Sequence, residues 1–188
     1  MRRSSPDDGA RELVALVDAT GRPAGTATRP RMRELRLLHA ATAVFVRDGR
    51  GRLYVHRRSP DKDWAPSRHD ACAGGVLLAG EEPAAGARRE LAEELGVEGA
   101  ELEPLGSSLY EGPDSRAYEF VFQTRWDGPV RFADGEAVWG AWLAPAELRR
   151  RLDDPGWPFV PDTRLLLRRL AARGVPGYEA FGEPGAER

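Results

Sequence analysis

Four glutamates, two glycines and an arginine stand at fixed intervals between Gly75 and Val97, in a spacing suited to metal-activated diphosphate chemistry. The pattern is G-x5-E-x7-R-E-U-x-E-E-x-G-U, where U is apolar. Gly75, Glu81, Arg89, Glu90, Leu91, Glu93, Glu94, Gly96 and Val97 fill its nine specified places. With each fixed residue type at roughly 7% and each apolar place at roughly a quarter, a chance match in this chain is on the order of one in ten million. Pro83 suits a first helical turn and Gly96 the residue just past a helix end, so the spacing predicts a helix from Pro83 to Leu95. At about 100° per residue, Glu90, Glu93 and Glu94 share one arc, with Ala84, Ala87, Leu91 and Leu95 on the neighbouring arc. One face packs and the next presents carboxylates.

Three carboxylates on one arc, toward the negative end of the helix dipole, repel one another unless cations neutralise them. Hard oxygen ligands suit Mg²⁺ or Mn²⁺. Mg²⁺ usually takes one or two protein carboxylates and fills its octahedron with water and phosphate oxygens, which makes a diphosphate the natural missing ligand. The alternative is a solvated acidic face paired with Arg88 and Arg89, the commoner fate of a charge run. The complete pattern favours the metal site.

The stretch resembles in full the signature box of the Nudix hydrolases, and the region from Leu13 to Arg173 looks like one domain of that superfamily. Within it the chain is similar to the bacterial subgroup related to isopentenyl-diphosphate isomerase, which includes a Nudix hydrolase of enteric bacteria. That narrower likeness rests on VDATGRPAGTATRPRMRELRLLHAATAVFV (17 to 46), YVHRRSPDKDWAPSRHDACAGGV (54 to 76) and WLAPAEL (142 to 148). The resemblance implies hydrolysis of a diphosphate bond, in a nucleoside diphosphate derivative or related diphosphate, by metal-activated water. Carried over residue by residue, it makes Glu90 and Glu94 the main metal ligands, assisted by Glu93 and the Gly75 carbonyl. Glu93 is alternatively the base that deprotonates water. Arg89 holds the helix carboxylates rather than touching substrate, Glu81 supports the loop or, as the alternative, reaches the metal, and Glu136 is a late glutamate acting as base or extra ligand. A homodimer is expected, as dimers are common in the superfamily.

Two other readings compete. An isomerase of the related type uses a cysteine and several metal-binding histidines. Here the cysteine position falls on Ala73, with Cys72 one residue early and so on the opposite face of a strand. The histidine expected after it is replaced by Gly75, another by Met32, and only His39 survives. A domain that binds a diphosphate ligand as a sensor without cleaving it would be favoured by loss of a box glutamate, and none is lost.

Around these residues the chain reads as one mixed α/β (α+β) domain, a Nudix-type α/β/α sandwich around a mixed sheet, over 12–174. Thr20-Gly21-Arg22-Pro23 joins an opening hairpin, PRMRELRLL reads as a short helix, and Asp48-Gly49 signals a hairpin between Ala40–Val46 and Gly51–Arg57. Strands follow near 102 to 111, 116 to 126 and 136 to 143, with helices near 145 to 152 and 162 to 173. Residues 1–11 read as a flexible tail without the apolar segment of a secretory signal. Residues 175–188, rich in Gly, Pro and Glu, are expected to be loosely ordered.

The 188 residues carry a net charge of −2 and only one cysteine. That balance gives no basic footprint for long nucleic acid and excludes an internal disulfide or a cysteine-based zinc site. No apolar run reaches the roughly 18 residues of a spanning helix, and the cytoplasm is the expected location. Outside the box, Arg57 and Arg58 are candidate phosphate forks, at most one of which alternation sends to the site. Trp64 either stacks on substrate or covers the core. Asp114, Arg116 and Glu119 read more readily as exposed hairpin charges than as substrate contacts. Trp139, Trp142, Leu165 and Leu166 read as packing.

Overall fold

The computed structural model describes residues 12–132 and 135–182. The chain opens with the antiparallel hairpin β1 (Leu13–Val17) and β2 (Pro23–Thr28), followed by α1 (Arg29–Glu34) with Pro30 in its first turn. β3 (His39–Arg47) is the hub of the sheet. It touches β1 on one side and pairs in parallel with β8 (Arg116–Arg125) over nine residue pairs, from His39↔Ala117 to Arg47↔Arg125. β7 (Glu103–Glu111) extends this half antiparallel to β8. In the other half, β4 (Leu53–Arg58) pairs with β9 (Ala137–Leu143) and the short β5 (His69–Asp70), while β6 (Cys72–Ala73) returns to β3.

Alternation along β3 divides the interior into two layers. On one face Val44, Val46, Ala73 and Phe122 pack under α2 (Pro83–Leu95) through Ala87, Leu91 and Leu95. On the other face Ala43, Phe45, Cys72 and Val121 pack under α3 (Pro145–Leu152) and α4 (Pro161–Ala172) through Leu148, Leu166, Leu167 and Leu170. The result is the expected helix, mixed sheet, helix sandwich.

Two expectations are corrected. Asp48-Gly49 does make a turn, with the Asp48 and Gly51 amides closing it, yet β3 and β4 share only the pair Arg47↔Leu53. They diverge because each finds a longer partner elsewhere, β8 and β9. Loose order from 175 onward is also wrong over 175–182. Tyr178 is fully buried edge-on to Phe45, 5.3 Å between ring centroids, and Phe181 in a short 3₁₀ turn (Glu179–Phe181) joins the same core. Two aromatic side chains bury enough surface to outweigh the Gly and Pro content around them. The flexible tail expected over 1–11 and the last part of the one expected over 175–188, residues 183–188, lie outside the described residues.

Candidate active site

α2 spans the predicted residues because its ends are specified: Pro83 occupies the first turn, and Gly96 ends the helix in the left-handed region at φ 63°. Leu91 and Leu95 fix its rotation against the sheet. That rotation turns Glu90 and Glu94 inward, where they are 8% and 2% exposed. Glu93 points outward, its side chain 53% exposed. The arc of three expected from periodicity is therefore two buried carboxylates and one at the rim.

Each inward carboxylate meets a cation. Arg89 donates through Nε and Nη2 to the two Glu81 oxygens at 2.9 and 3.0 Å, and through Nη1 to Glu90 at 2.7 Å and Glu93 at 3.1 Å. Glu81 also accepts the Leu78 amide at 2.9 Å, tying the loop before the helix to the helix itself. Glu94 accepts the Gly74 amide at 3.1 Å and the Lys62 ammonium at 3.1 Å. Lys62, from the loop between β4 and β5, also donates to Glu136 just before β9. Three segments far apart in sequence thus converge on one carboxylate cluster.

Gly75 sits against this cluster: a Cβ there would lie 2.6 Å from the Glu90 carboxylate and would push it from its present position. Its carbonyl accepts the Thr42 amide at 2.9 Å. Burial raises Glu90, with Arg89 opposing, and raises Glu94 to about 8, with Lys62 opposing. Among the described residues no group of three or more His, Cys, Asp or Glu is arranged to hold a metal ion. The donor set present, two buried carboxylates on one helix face, is nonetheless what Mg²⁺ takes when water and substrate oxygens complete its shell.

The strand-end arginines separate as alternation requires. Arg57 is exposed, whereas Arg58 is buried and bonds the Trp64 carbonyl at 3.1 Å, with Asp70 3.8 Å away. Trp64 lies under the Arg58 guanidinium, 5.7 Å from its ring centre, and edge-on to Tyr110. Arg116 pairs with Glu111 at 2.6 Å, as a surface charge would. Trp142 packs against Tyr54, and Leu166 is core. Leu165 is only partly buried. Trp139, expected to pack, is exposed on β9 and meets His69 at its edge.

Glu119 overturns its expectation as an exposed charge, being 4% exposed. It shares the inward face of β8 with Ala117 and Val121 and lies close to Asp162 at the start of α4. Burial and the neighbouring acid raise Glu119 well above the usual carboxylate range, and burial raises Asp162 to about 7. A charged residue in an inward strand register was the available signal. Lys62 was also missed as a site residue; its only signal was being the one lysine in an arginine-rich chain.

Cys72 faces the α4 layer and is buried there, with its thiol pushed well above its ordinary value by burial, while Ala73 faces α2. The one-residue offset does turn the thiol away from the glutamate site.

Residues 37–163 match the NUDIX domain family. Nudix hydrolase orf19 of Rhodococcus erythropolis is 42% identical over 166 residues, covering 83% of this chain and 90% of that protein. Nudix hydrolase YfcD of Escherichia coli K12 is 36% identical over 156 residues, covering 83% and 84%. Among solved structures, DR0079 of Deinococcus radiodurans superposes with a TM-score of 0.72 at 30% identity, covering 84% of this chain and 98% of that one. The glutamate-bearing helix and these likenesses across most of the chain lead to one conclusion: the chain belongs to the Nudix family and is a hydrolase of it.

Proposed function

We propose that this hydrolase cleaves a diphosphate bond in a nucleoside diphosphate derivative or related diphosphate, using a Mg²⁺ or Mn²⁺ ion held by Glu90 and Glu94. The observation that carries the reading is the pair of buried carboxylates on one helix face, each already compensated by positive charge. A bound divalent cation would supply a water of lowered pKa and neutralise charge developing on the leaving phosphate. Arg89 holds Glu90 and the Glu81 loop in register, and Gly75 leaves room for the Glu90 carboxylate. The Gly75 carbonyl is the assisting backbone ligand in this reading. Glu93 and Glu136 stand at the rim, where either takes a proton from the attacking water. Arg58 is preferred over Arg57 as the phosphate fork, because it is turned inward beside Trp64.

A sensor that binds without cleaving is the second reading. The NUDIX domain of Shewanella oneidensis NrtR, with ADP ribose bound, has this fold at 15% identity and a TM-score of 0.56, which argues for including that ligand in a screen. The buried thiol on the far face of the sheet speaks against isomerase chemistry. Homodimerisation and a cytoplasmic location remain part of the proposal. Among the described residues no helix is long and apolar enough to cross a membrane.

The test is a Mg²⁺ and Mn²⁺ activity screen over nucleoside diphosphate derivatives, dinucleotides, nucleotide sugars and isopentenyl diphosphate, with Glu94→Gln as the blank. Hydrolysis by the wild type alone is the expected result. Ligand-dependent stabilisation with no cleavage would move the conclusion to the sensor.

A further inference from the structure

Lys62 sits where a positively charged ligand of the carboxylate cluster would be useful, and it arrives there from a loop rather than from the helix or sheet. Its ammonium bonds Glu94 at 3.1 Å and Glu136, and its side chain is only 16% exposed. The surrounding loop is shaped for this reach. Ser59 accepts the Lys62 amide at 3.3 Å, Ala65 and Ser67 adopt positive φ of 49° and 59°, and Trp64 is clamped between Arg58 and Tyr110. Two non-glycine residues in the left-handed region within three positions are strained backbone that the rest of the loop must hold in place.

We infer that Lys62 is a tethered counter-ion, which occupies Glu94 while the site lacks a divalent cation and is displaced from it when one binds. The inference rests on the metal reading above. A buried carboxylate without a partner is strongly unfavourable, and the partners of Glu94 are the Gly74 amide and, as its one bonded positive charge among the described residues, Lys62. Arg89 serves Glu90 permanently, because it is anchored by two further bonds to Glu81 on the same face. Lys62 has no such anchor on the helix. It is a flexible stem with a single-point charge, able to leave without disturbing α2. Entry of the cation then carries a cost set by the fraction of molecules in which Lys62 has moved aside.

The chain has one lysine, which makes its amine a specific reporter. Acylation of wild-type protein with an N-hydroxysuccinimide ester, followed on the Lys62 peptide by mass spectrometry, reads how often the ammonium is released. Saturating Mg²⁺ is expected to accelerate that acylation by about tenfold or more, as the released population rises. Lys62→Met is expected to bind Mn²⁺ about tenfold more tightly by calorimetry, having lost the competing state. Its metal-free melting temperature should fall, with metal restoring it. Removing a positive charge would tighten Mn²⁺ binding on electrostatic grounds alone, so acylation of the wild type decides. If Mn²⁺ and Mg²⁺ bind but the Lys62 acylation rate does not change, the counter-ion role is overturned while the metal site stands. If neither wild type nor Lys62→Met binds either cation, both readings fall together.

Discussion

Two clusters of buried carboxyls lie on opposite faces of one sheet, and they are stabilised by different means. Under α2, Glu90 and Glu94 are held by the helix-borne cation of Arg89 and the loop-borne one of Lys62. Under α4, Glu119 and Asp162 lie close together with no such cation among the described residues, both raised by burial, and Asp70 beside them accepts the Thr163 hydroxyl at 2.7 Å. Arg58 stands between, 3.8 Å from Asp70 and near enough to Glu94 to lower its pKa against burial. Burial raises acids in both clusters, to about 8 at Glu94 and about 7 at Asp162, but among the described residues only the first places basic side chains in contact with its raised carboxyls. Burial of acids alone therefore does not separate the two clusters; the identity of the neighbouring group does.

This comparison is broken most decisively at Glu94. Glu94→Gln is expected to reduce Mg²⁺-dependent kcat/KM on a cleaved substrate on the order of a thousandfold, the scale of losing one charge-stabilising group in a closed site. Full retained turnover would remove the α2 cluster from the chemistry. Gly75→Ala, whose Cβ would meet the Glu90 carboxylate at 2.6 Å, should cost about 10–100-fold in activity with secondary structure by circular dichroism unchanged. The matching change on the other face, Glu119→Gln, keeps a donor for Asp162 and is expected to leave turnover within about twofold, because it exchanges a protonated acid for an amide of similar shape.

The pH dependence of stability sharpens the same contrast. A carboxyl raised by burial stabilises the protein at low pH and loses that contribution as pH rises through its folded value, which is about 8 for Glu94 and about 7 for Asp162. His39 and His56, lowered by burial to about 4, work in the opposite sense: their contribution is present above 6.5 and lost as pH falls toward 4. Metal-free protein should thus melt at progressively lower temperature from pH 6.5 to 8.5. Mg²⁺ should remove the part owed to Glu94, and Glu119→Gln should reduce the part owed to the Glu119 and Asp162 pair. A melting temperature flat over that range, by differential scanning calorimetry, would show that neither cluster holds an excess proton. Smallest of all, Gly96→Ala is expected to destabilise by about 1 kcal/mol in urea denaturation, the cost of a Cβ at positive φ in a helix cap, while leaving metal-dependent activity intact.

How far the sequence could be read follows from the range of the interactions involved. α2 was legible to the residue because its determinants, Pro83, Gly96 and the apolar arc, are local. The opening hairpin was legible for the same reason. The β3–β4 hairpin was misread because the Asp48-Gly49 turn is local while the strands' partners, β8 and β9, are not. The box glutamates could be found by spacing, but which two of the three face inward depended on how Leu91 and Leu95 seat against Val44 and Phe122. Lys62 and the Glu119–Asp162 pair were hidden because their partners lie 32 and 43 positions away, outside any window in which periodicity speaks.

The parallel register of β3 with β8 also governs how the chain assembles. His39 and Ala117 are paired across 78 positions, and that pairing is the longest ladder in the sheet. Closing so large a loop must precede the contacts that reward it, which places this chain among slow, non-local folders. During synthesis, a hub strand rich in Ala, Val and Phe emerges well before its partner exists, with its backbone edge unpaired and its apolar side chains open to other chains. A truncation ending before Arg116 would leave that edge of β3 permanently unpaired, and the glutamate helix would lose Phe122 from the surface it docks on.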